Sequence, residues 1–222
     1  MSQFYGIDPE AVIKEIDAFV SEMDAIARDF DNAGKELFDT LSKSWYSPNA
    51  VTFSNKYSSL LYHKTVDLIR TTASNFAVRA KEASDYMLIA NGANPVSKDY
   101  SYQPVDSNFG ELLSSNNGNV GMDTKLACYA MEKYKSSASS ACELLNNFNV
   151  NLSIFDAQDA IVTTFKDNLR TVYYEIRDII SELINTLYDN IRYEIHRLES
   201  TAKISADTMS NAGAGFGQIK YQ

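Results

Sequence analysis

One stretch of sequence sets the fold of this chain: Trp45-Tyr46-Ser47-Pro48-Asn49-Ala50-Val51-Thr52-Phe53, which lies between two long segments with helical periodicity. Proline is tolerated in the first turn of a helix but not in its interior, so a new helix is expected to begin at Pro48. Ser47, directly before it, is a good N-cap. Trp45 is the only tryptophan and stands where the preceding helix has to end. We therefore predict a helical hairpin with Trp45 at its bend.

The helix before the bend is predicted to begin near Asp8, with Asp8 as N-cap and Pro9 in the first turn. Its apolar residues then recur at alternating steps of three and four: Ile13, Ile16, Val20, Met23, Ala27, Phe30, Gly34, Leu37 and Leu41. Such a series is typical of a helix that packs lengthwise against another helix. The glycine at Gly34 predicts a close approach of a second helix. The helix after the bend is predicted over residues 47–89, because Asn91-Gly92 is a good C-cap signal.

The rest of the chain is predicted to contain an irregular connection and two further helices. Residues 93–121 have turn-forming sequences at both ends and aromatic residues between them, which indicates a connection packed partly along the helices. The third helix is predicted over residues 122–148, and the fourth and longest is predicted to begin at Ile154-Phe155-Asp156. The expected organisation is a first hairpin over residues 1–92, the connection over 93–121, a second hairpin over 122–211 and a flexible tail over 212–222.

The two hairpins resemble each other. Trp45 aligns with Phe155, and Ala50 aligns with Ala160 at the same offset. This similarity favours an internal duplication, although antiparallel hairpins also share such features without one. Two hairpins that each carry one apolar face can bury those faces together. We therefore predict an all-α fold in which two long helical hairpins form an elongated antiparallel four-helix bundle.

The composition of the chain argues against several classes of function. The 222 residues carry a formal net charge of −9, and an acidic surface repels phosphate backbones, so nucleic-acid binding is not expected. No run of 18 apolar residues is present, so no membrane-spanning helix is expected. The start of the chain lacks the basic residues and apolar stretch of a cleaved signal peptide. Cys128 and Cys142 lie about 21 Å apart on one predicted helix and cannot bridge within it. We interpret them as packing residues, with an intermolecular disulfide as the alternative.

The sequence gives little support for catalysis. The only two histidines, His63 and His196, are each isolated on a predicted helix. A metal site needs three or four ligands at close spacing, and no such set is found. No glycine-rich phosphate loop precedes a helix, and no serine nucleophile elbow occurs. We expect no catalytic residues, no metal ligands and no cofactor.

A helical hairpin of this length, over residues 8–92, with a tryptophan at the turn resembles the Trp-Xaa-Gly family of small secreted proteins, the ESAT-like substrates of the type VII secretion system. The turn here is Trp45-Tyr46-Ser47, so Ser47 stands where the family has glycine. The second half, with Phe155 at its bend, is similar in layout alone. The resemblance implies a tandem fusion, in which one chain makes the four-helix bundle that the family makes from two hairpins.

The resemblance also implies an export signal, a tyrosine followed four residues later by an acidic residue after the second helix. Tyr102 and Asp106 have this spacing and this location. Tyr174 and Asp178 have the spacing, but they lie in the middle of a predicted helix. Pro104 falls between Tyr102 and Asp106 and disfavours the helical geometry that would put the pair on one face.

From these features we expect a non-enzymatic protein that acts by protein–protein contact, as a substrate, partner or targeting module of a type VII-type secretion machinery. It would be cytoplasmic before export and then secreted or on the cell surface, as a monomer or homo-oligomer. Alternatives are a structural assembly protein of a phage-like or injection apparatus, and a bundle that opens onto membranes, although nothing in the sequence indicates membrane contact. Six helical tyrosines are interpreted as core residues, with an interface role as the alternative: Tyr57, Tyr62, Tyr173, Tyr174, Tyr188 and Tyr193.

Overall fold

A computed structural model describes residues 8–147 and 159–216, and these are all-α apart from two very short strands, which confirms the predicted fold class. The elements are α1 (Pro9–Ser44), β1 (Trp45–Tyr46), α2 (Pro48–Tyr62), the π-helical segment π1 (His63–Asp67), α3 (Leu68–Ala90), β2 (Gly121–Met122), α4 (Thr124–Asn147) and α5 (Asp159–Phe216). The helix predicted over residues 47–89 is therefore continuous, but a π-helical turn interrupts its α-helical geometry.

The helix starts follow local rules that the sequence already shows. The Asp8 side chain accepts hydrogen bonds from the backbone N–H groups of Glu10 and Ala11, and Pro9 stands in the first turn of α1. The Ser47 hydroxyl accepts from the N–H of Ala50 at 3.0 Å, with Pro48 as the first residue of α2. These caps satisfy backbone donors that have no partner within the helix.

The helices pack side by side with alternating directions. Arg70 of α3 pairs with Asp24 of α1 at 2.8 Å, and the N–H of Asp123, just before α4, donates to the carbonyl of Ser44 at the end of α1. Because α2 starts where α1 ends and Arg70 lies level with Asp24, α2 through α3 run antiparallel to α1. α4 starts beside the end of α1, and its Lys133 pairs with Glu36 farther back along α1, so α4 is antiparallel to α1 as well. The Tyr188 hydroxyl of α5 donates to Glu132 of α4.

The fourth side of the bundle joins α5 to α2. The Asn190 amide donates to the Tyr57 hydroxyl at 3.0 Å, and Asn49 donates to Glu194 at 2.6 Å, so α5 runs antiparallel to α2. In order along the chain, α1 runs up, α2 through α3 run down, α4 runs down and α5 runs up. A long connection must then carry the chain from the bottom of α3 back to the top of α4.

One apolar cluster contains side chains from all these helices. Its largest fully buried members include Phe19, Phe30 and Phe38 of α1, Leu61 of α2 and Tyr173 of α5. Phe19 lies near both Phe76 and Tyr173, with ring centroids 4.5 and 6.0 Å apart, so the two predicted hairpins share one core. Burial of apolar faces against one another is the main stabilising term in such a bundle.

The connection, residues 91–120, which we call the strap, runs the length of the bundle over the groove between α1 and α2–α3. It has no helix, and its only bridge joins Asn116 to Asn119. The expectation for Gly34 was wrong in one respect, because its close neighbour is Phe109 of the strap and not a second helix. A Cβ built at Gly34 would lie within 2.6 Å of three ring carbons of Phe109.

Two boundaries differ from the predictions, and one predicted bend lies outside the described residues. α4 begins at Thr124, two residues later than expected, with the Asp123 carboxylate accepting from the N–H of Leu126. α5 continues to Phe216, past the point near Met209 where its apolar pattern fades, even though Gly213 and Gly215 have low helix propensity. The mobility of residues 212–222 stays a prediction. Phe155, the predicted second bend, is not among the described residues.

α5 is the longest helix, with 58 residues against 36 in α1. Among the described residues, the last hydrogen bond between α5 and another element joins Glu194 to Asn49, at the start of α2. Every residue from 199 to 212 is exposed. α5 therefore projects beyond the bend end of the bundle, and we call residues 196–216 the projecting helix.

Candidate functional site at the bend and the strap

Trp45 occupies the corner between α1 and α2. Its side chain is 1% exposed, and its ring centroid lies 5.3 Å from that of Phe53. Its backbone belongs to β1, where Trp45 pairs with Met122 and Tyr46 pairs with Gly121. The buried indole N–H has no hydrogen-bond partner among the described residues. Trp45 thus fills the end of the core, where α1 turns into α2 and where the strap leads through β2 into α4.

Ser47 and Pro48 connect this corner to the strap. Ser47 caps α2 through its side chain, and its backbone N–H donates to the carbonyl of Leu113 at 3.1 Å. Pro48 has no N–H to leave unpaired at the first helical position. The turn therefore holds the upper end of the strap as well as the start of α2.

Tyr102 lies in the middle of the strap and is half-buried against π1. Its hydroxyl donates to the Asp67 carboxylate at 2.6 Å, and its backbone N–H donates to the Ser74 hydroxyl at 2.9 Å. Burial and the neighbouring Asp67 carboxylate raise the pKa of Tyr102 to about 12. The phenol is therefore a proton donor across the physiological range, bound to a buried acceptor.

Asp67 joins Tyr102 to His63. The second carboxylate oxygen of Asp67 lies 2.5 Å from Nδ1 of His63, while Asp67 itself is almost fully buried. The π-helical turn spans these two residues. π-helical turns are rare in proteins, and those that occur often lie at functional sites. Thr65 within it donates its hydroxyl to the carbonyl of Leu61 at 2.7 Å, a bond of the kind that bends helices. The result is a polar chain from half-exposed His63 through Asp67 to the strap.

Asp106 does not join this chain. It is exposed, and the strap between it and Tyr102 has no regular secondary structure, so the two side chains do not share a helix face. Tyr174 and Asp178 do lie on one helix, α5, where Tyr174 is partly exposed and Asp178 accepts from Arg177. Of the two candidate export signals, the one formed by Tyr102 and Asp106 therefore contacts the helices through Tyr102 and not through Asp106.

Three serines on the helices bind the strap backbone, and sequence reasoning missed them. The Ser58 hydroxyl accepts from the N–H groups of Phe109 and Gly110, at 2.8 and 3.0 Å. Ser54 accepts from the N–H of Leu112, and Ser74 donates to the carbonyl of Tyr100. All three serines are buried. The spacing of four between Ser54 and Ser58 was the available signal, since small hydroxyls on a buried face need partners.

Ionic contacts hold the lower end of the strap. Asp17 of α1 accepts from Lys98 at 2.6 Å and from the Tyr100 hydroxyl at 2.8 Å. Burial opposes ionisation of Asp17, but these two hydrogen bonds outweigh it and keep the pKa of its carboxyl below the ordinary value. Asp85 of α3 accepts from the N–H of Val96. Hydrogen bonds thus anchor the strap to the helices at several points between Val96 and Leu113.

A cleft of about 290 Å³ opens beside the bend, between α2 and α5. It is lined by Trp45, Phe53, Lys56, Tyr57, Asn190 and Tyr193, among others. The Lys56 ammonium lies 4.8 Å from the centroid of the Tyr57 ring, and Tyr193 is mostly exposed.

The six helical tyrosines, interpreted above as core residues, differ in their exposure to solvent. Tyr57, Tyr62 and Tyr173 are buried, Tyr188 is half-buried, and Tyr174 and Tyr193 are exposed.

Within residues 8–147 and 159–216, no group of three or more histidine, cysteine, aspartate or glutamate side chains could hold a metal ion. Over the same residues, no helix has the length and apolar composition needed to cross a membrane. Cys128 is exposed and Cys142 is buried, and both are free thiols. Comparisons with protein-family models, curated proteins and solved structures found no significant match to the chain.

Proposed function

We propose that this protein is a non-enzymatic helical bundle that acts by protein–protein contact, as a substrate, partner or targeting module of a type VII-type secretion machinery. The observation that carries the proposal is the position of Trp45, buried at the bend of a helical hairpin whose apolar faces close onto a second pair of helices in the same chain. A single-chain bundle of this kind has its core satisfied and offers its ends and outer faces to a partner.

The strap adds a support for this proposal. Tyr102, the tyrosine of the candidate export signal, is held against Asp67, whereas Asp106 is exposed. A secretion machinery that reads this segment would meet Asp106 first. It would reach the Tyr102 hydroxyl only after breaking a short hydrogen bond to a buried carboxylate. The Tyr102 hydroxyl is therefore accessible to a partner only when this part of the strap has left the helices.

The test is a secretion assay in the native host, with and without the ATPase of its type VII system. We expect the wild-type protein in the culture supernatant only when the ATPase is present. Asp106→Asn should reduce export without changing the melting temperature, while Asp99→Asn, an exposed strap carboxylate outside the signal, serves as the matched control. Export that is independent of the ATPase would contradict the proposal.

A structural assembly role is the second candidate, and the projecting helix favours it. Residues 199–212 extend from the bundle without intramolecular packing, as expected for a segment that packs on another subunit. Electron microscopy of the purified protein at increasing concentration distinguishes the two roles. Regular filaments or rings would favour assembly, and discrete particles would favour export.

A further inference from the structure

The projecting helix separates its charged and uncharged residues. Glu199, Lys203 and Asp207 follow one another at steps of four and therefore lie on one face. The opposite face carries Thr201, Ile204, Ser205, Thr208 and Ala212, and it has no charge. Ile204 is 66% exposed. An uncharged, partly apolar face on an isolated helix is a face that gains from packing on another helix.

This uncharged face continues the side of α5 that turns toward α2. Asn190 and Glu194, which bond to Tyr57 and Asn49, lie in line with Thr201 and Thr208 at helical steps of three and four. The cleft beside the bend and the uncharged face of the projecting helix therefore form one continuous surface, with the cleft at its lower end and the free helix at its upper end.

We propose that this surface binds a second copy of the same chain, with the two projecting helices antiparallel. Such an arrangement is self-complementary, since each copy supplies both a cleft and a free helix, which is the requirement of a two-fold interface. Overlap of the helix with the cleft places the two-fold axis near Thr201, with Ala212 of one copy level with Asn190 of the partner subunit. The inference does not depend on the export proposal.

Charge supports a second copy as the occupant. The whole chain carries −9, so most pairs of faces on two copies repel each other. The projecting helix has two basic and two acidic residues between positions 197 and 207, and three of these four lie away from the uncharged face. The fourth, Arg197, is already paired with Glu194 at 2.9 Å. Two uncharged faces can meet there without burying unpaired charge.

The cleft also complements the end of a helix. In the proposed pairing, the C-terminal turn of one projecting helix reaches the cleft of the other copy, where Lys56 is a lining residue. The last turn of a helix carries partial negative charge on its unpaired carbonyl groups, and a lysine ammonium stabilises it. Tyr193, exposed at the rim, offers an aromatic side chain to the same helix.

The first test is the mass of the full chain in solution, measured by light scattering over a concentration series. The wild-type protein should reach twice its chain mass of 24.8 kDa. Ile204→Glu/Thr208→Glu places two charges on the uncharged face and should give monomers. Ala206→Glu/Ser210→Glu adds the same charge on the charged side of the helix and should stay dimeric. Circular dichroism should show the same helix content for all three proteins.

The second test fixes the direction of pairing. In a Cys128→Ser background, Thr201→Cys lies near the two-fold axis and should form a disulfide-linked dimer under mild oxidation. Ile204→Cys should not, because antiparallel pairing separates the two copies of that residue by roughly 9 Å along the helix. Disulfides in both variants would show parallel helices and overturn the arrangement. A monomeric wild-type protein, or dimers of Ile204→Glu/Thr208→Glu, would overturn the proposal itself.

Discussion

The ring of Phe109 stands directly over Gly34, so that the strap touches the backbone of α1 at this point. Phe109 also packs near Phe38 and Tyr62, with ring centroids 6.1 and 5.5 Å away. The backbone N–H of Phe109 is fixed by Ser58. An aromatic residue of an irregular segment therefore belongs to the core because one helix position lacks a side chain.

Gly34→Ala should destabilise the protein by about 1–3 kcal/mol, since the new methyl group has to displace a packed ring. In a Phe109→Ala background the same substitution should stabilise it, by up to about 1 kcal/mol, because alanine favours the helix over glycine. Urea unfolding of the four proteins measures both effects. Equal effects of Gly34→Ala in the two backgrounds would show that the ring does not occupy this space.

Trp45→Ala should cost about 3–5 kcal/mol of unfolding free energy, because it leaves a large cavity at the end of the core. Tyr129→Ala removes another aromatic side chain, but Tyr129 is mostly exposed, so this control should change stability by less than about 1 kcal/mol. The comparison is made by chemical denaturation. A shift below about 1 kcal/mol for Trp45→Ala would refute the assignment of this side chain to the core of the bend.

Ser58→Ala should loosen the upper strap, because the backbone N–H groups of Phe109 and Gly110 lose their common acceptor. Leaving a buried donor unpaired costs about 1–3 kcal/mol. Hydrogen exchange followed by mass spectrometry should show faster exchange in residues 107–113 than in the wild type. The neighbouring substitution Ser59→Ala is the control, and equal exchange in both variants would contradict the role of Ser58.

The hydrogen bond between Tyr102 and Asp67 should make part of the stability depend on alkaline pH. The pKa of Tyr102 is raised to about 12 in the folded protein, first by burial and then by Asp67. An unfolded tyrosine has a pKa of about 10. A raised pKa favours the protonated form in the native state, so the stabilisation is complete below about pH 10 and is lost as the pH rises toward 12.

The measurement is the difference in unfolding free energy between the wild type and Tyr102→Phe. It should be largest near pH 8 and should shrink between pH 10 and 12. Other groups that titrate in this range are common to both proteins and cancel in the difference. A difference that stays constant up to pH 12 would show that the phenol makes no hydrogen bond to Asp67.

The two cysteines should react differently with a thiol reagent. Cys128 is exposed on α4, whereas Cys142 is buried and burial raises the pKa of its thiol. Reactivity follows the accessible thiolate, so one thiol per native chain should be modified at neutral pH. Peptide mapping should place the label on Cys128, and denaturant should expose the second site. Labelling of Cys142 in the native protein would argue against the described packing of α4 on α5.

Local sequence was sufficient for the helices and the bend. Asp8, Ser47 and Pro48 act through neighbours a few residues away, so their caps and the helix starts were predictable from sequence alone. The apolar series of α1 likewise showed that the helix would be buried lengthwise. Each of these features depends on contacts within one or two helical turns, where the number of residues between two positions determines their distance and the face they share.

Tertiary structure alone decided which groups meet across the chain. The group that packs on Gly34 is Phe109 and not a second helix. Tyr102 donates to Asp67, which lies in a π-helical turn that the sequence pattern did not predict. The projection of α5 beyond the bend likewise depends on where the other helices end. Sequence periodicity shows that a face is apolar or small, but the identity of the group that fills it depends on the path of distant segments and on the volume left between them.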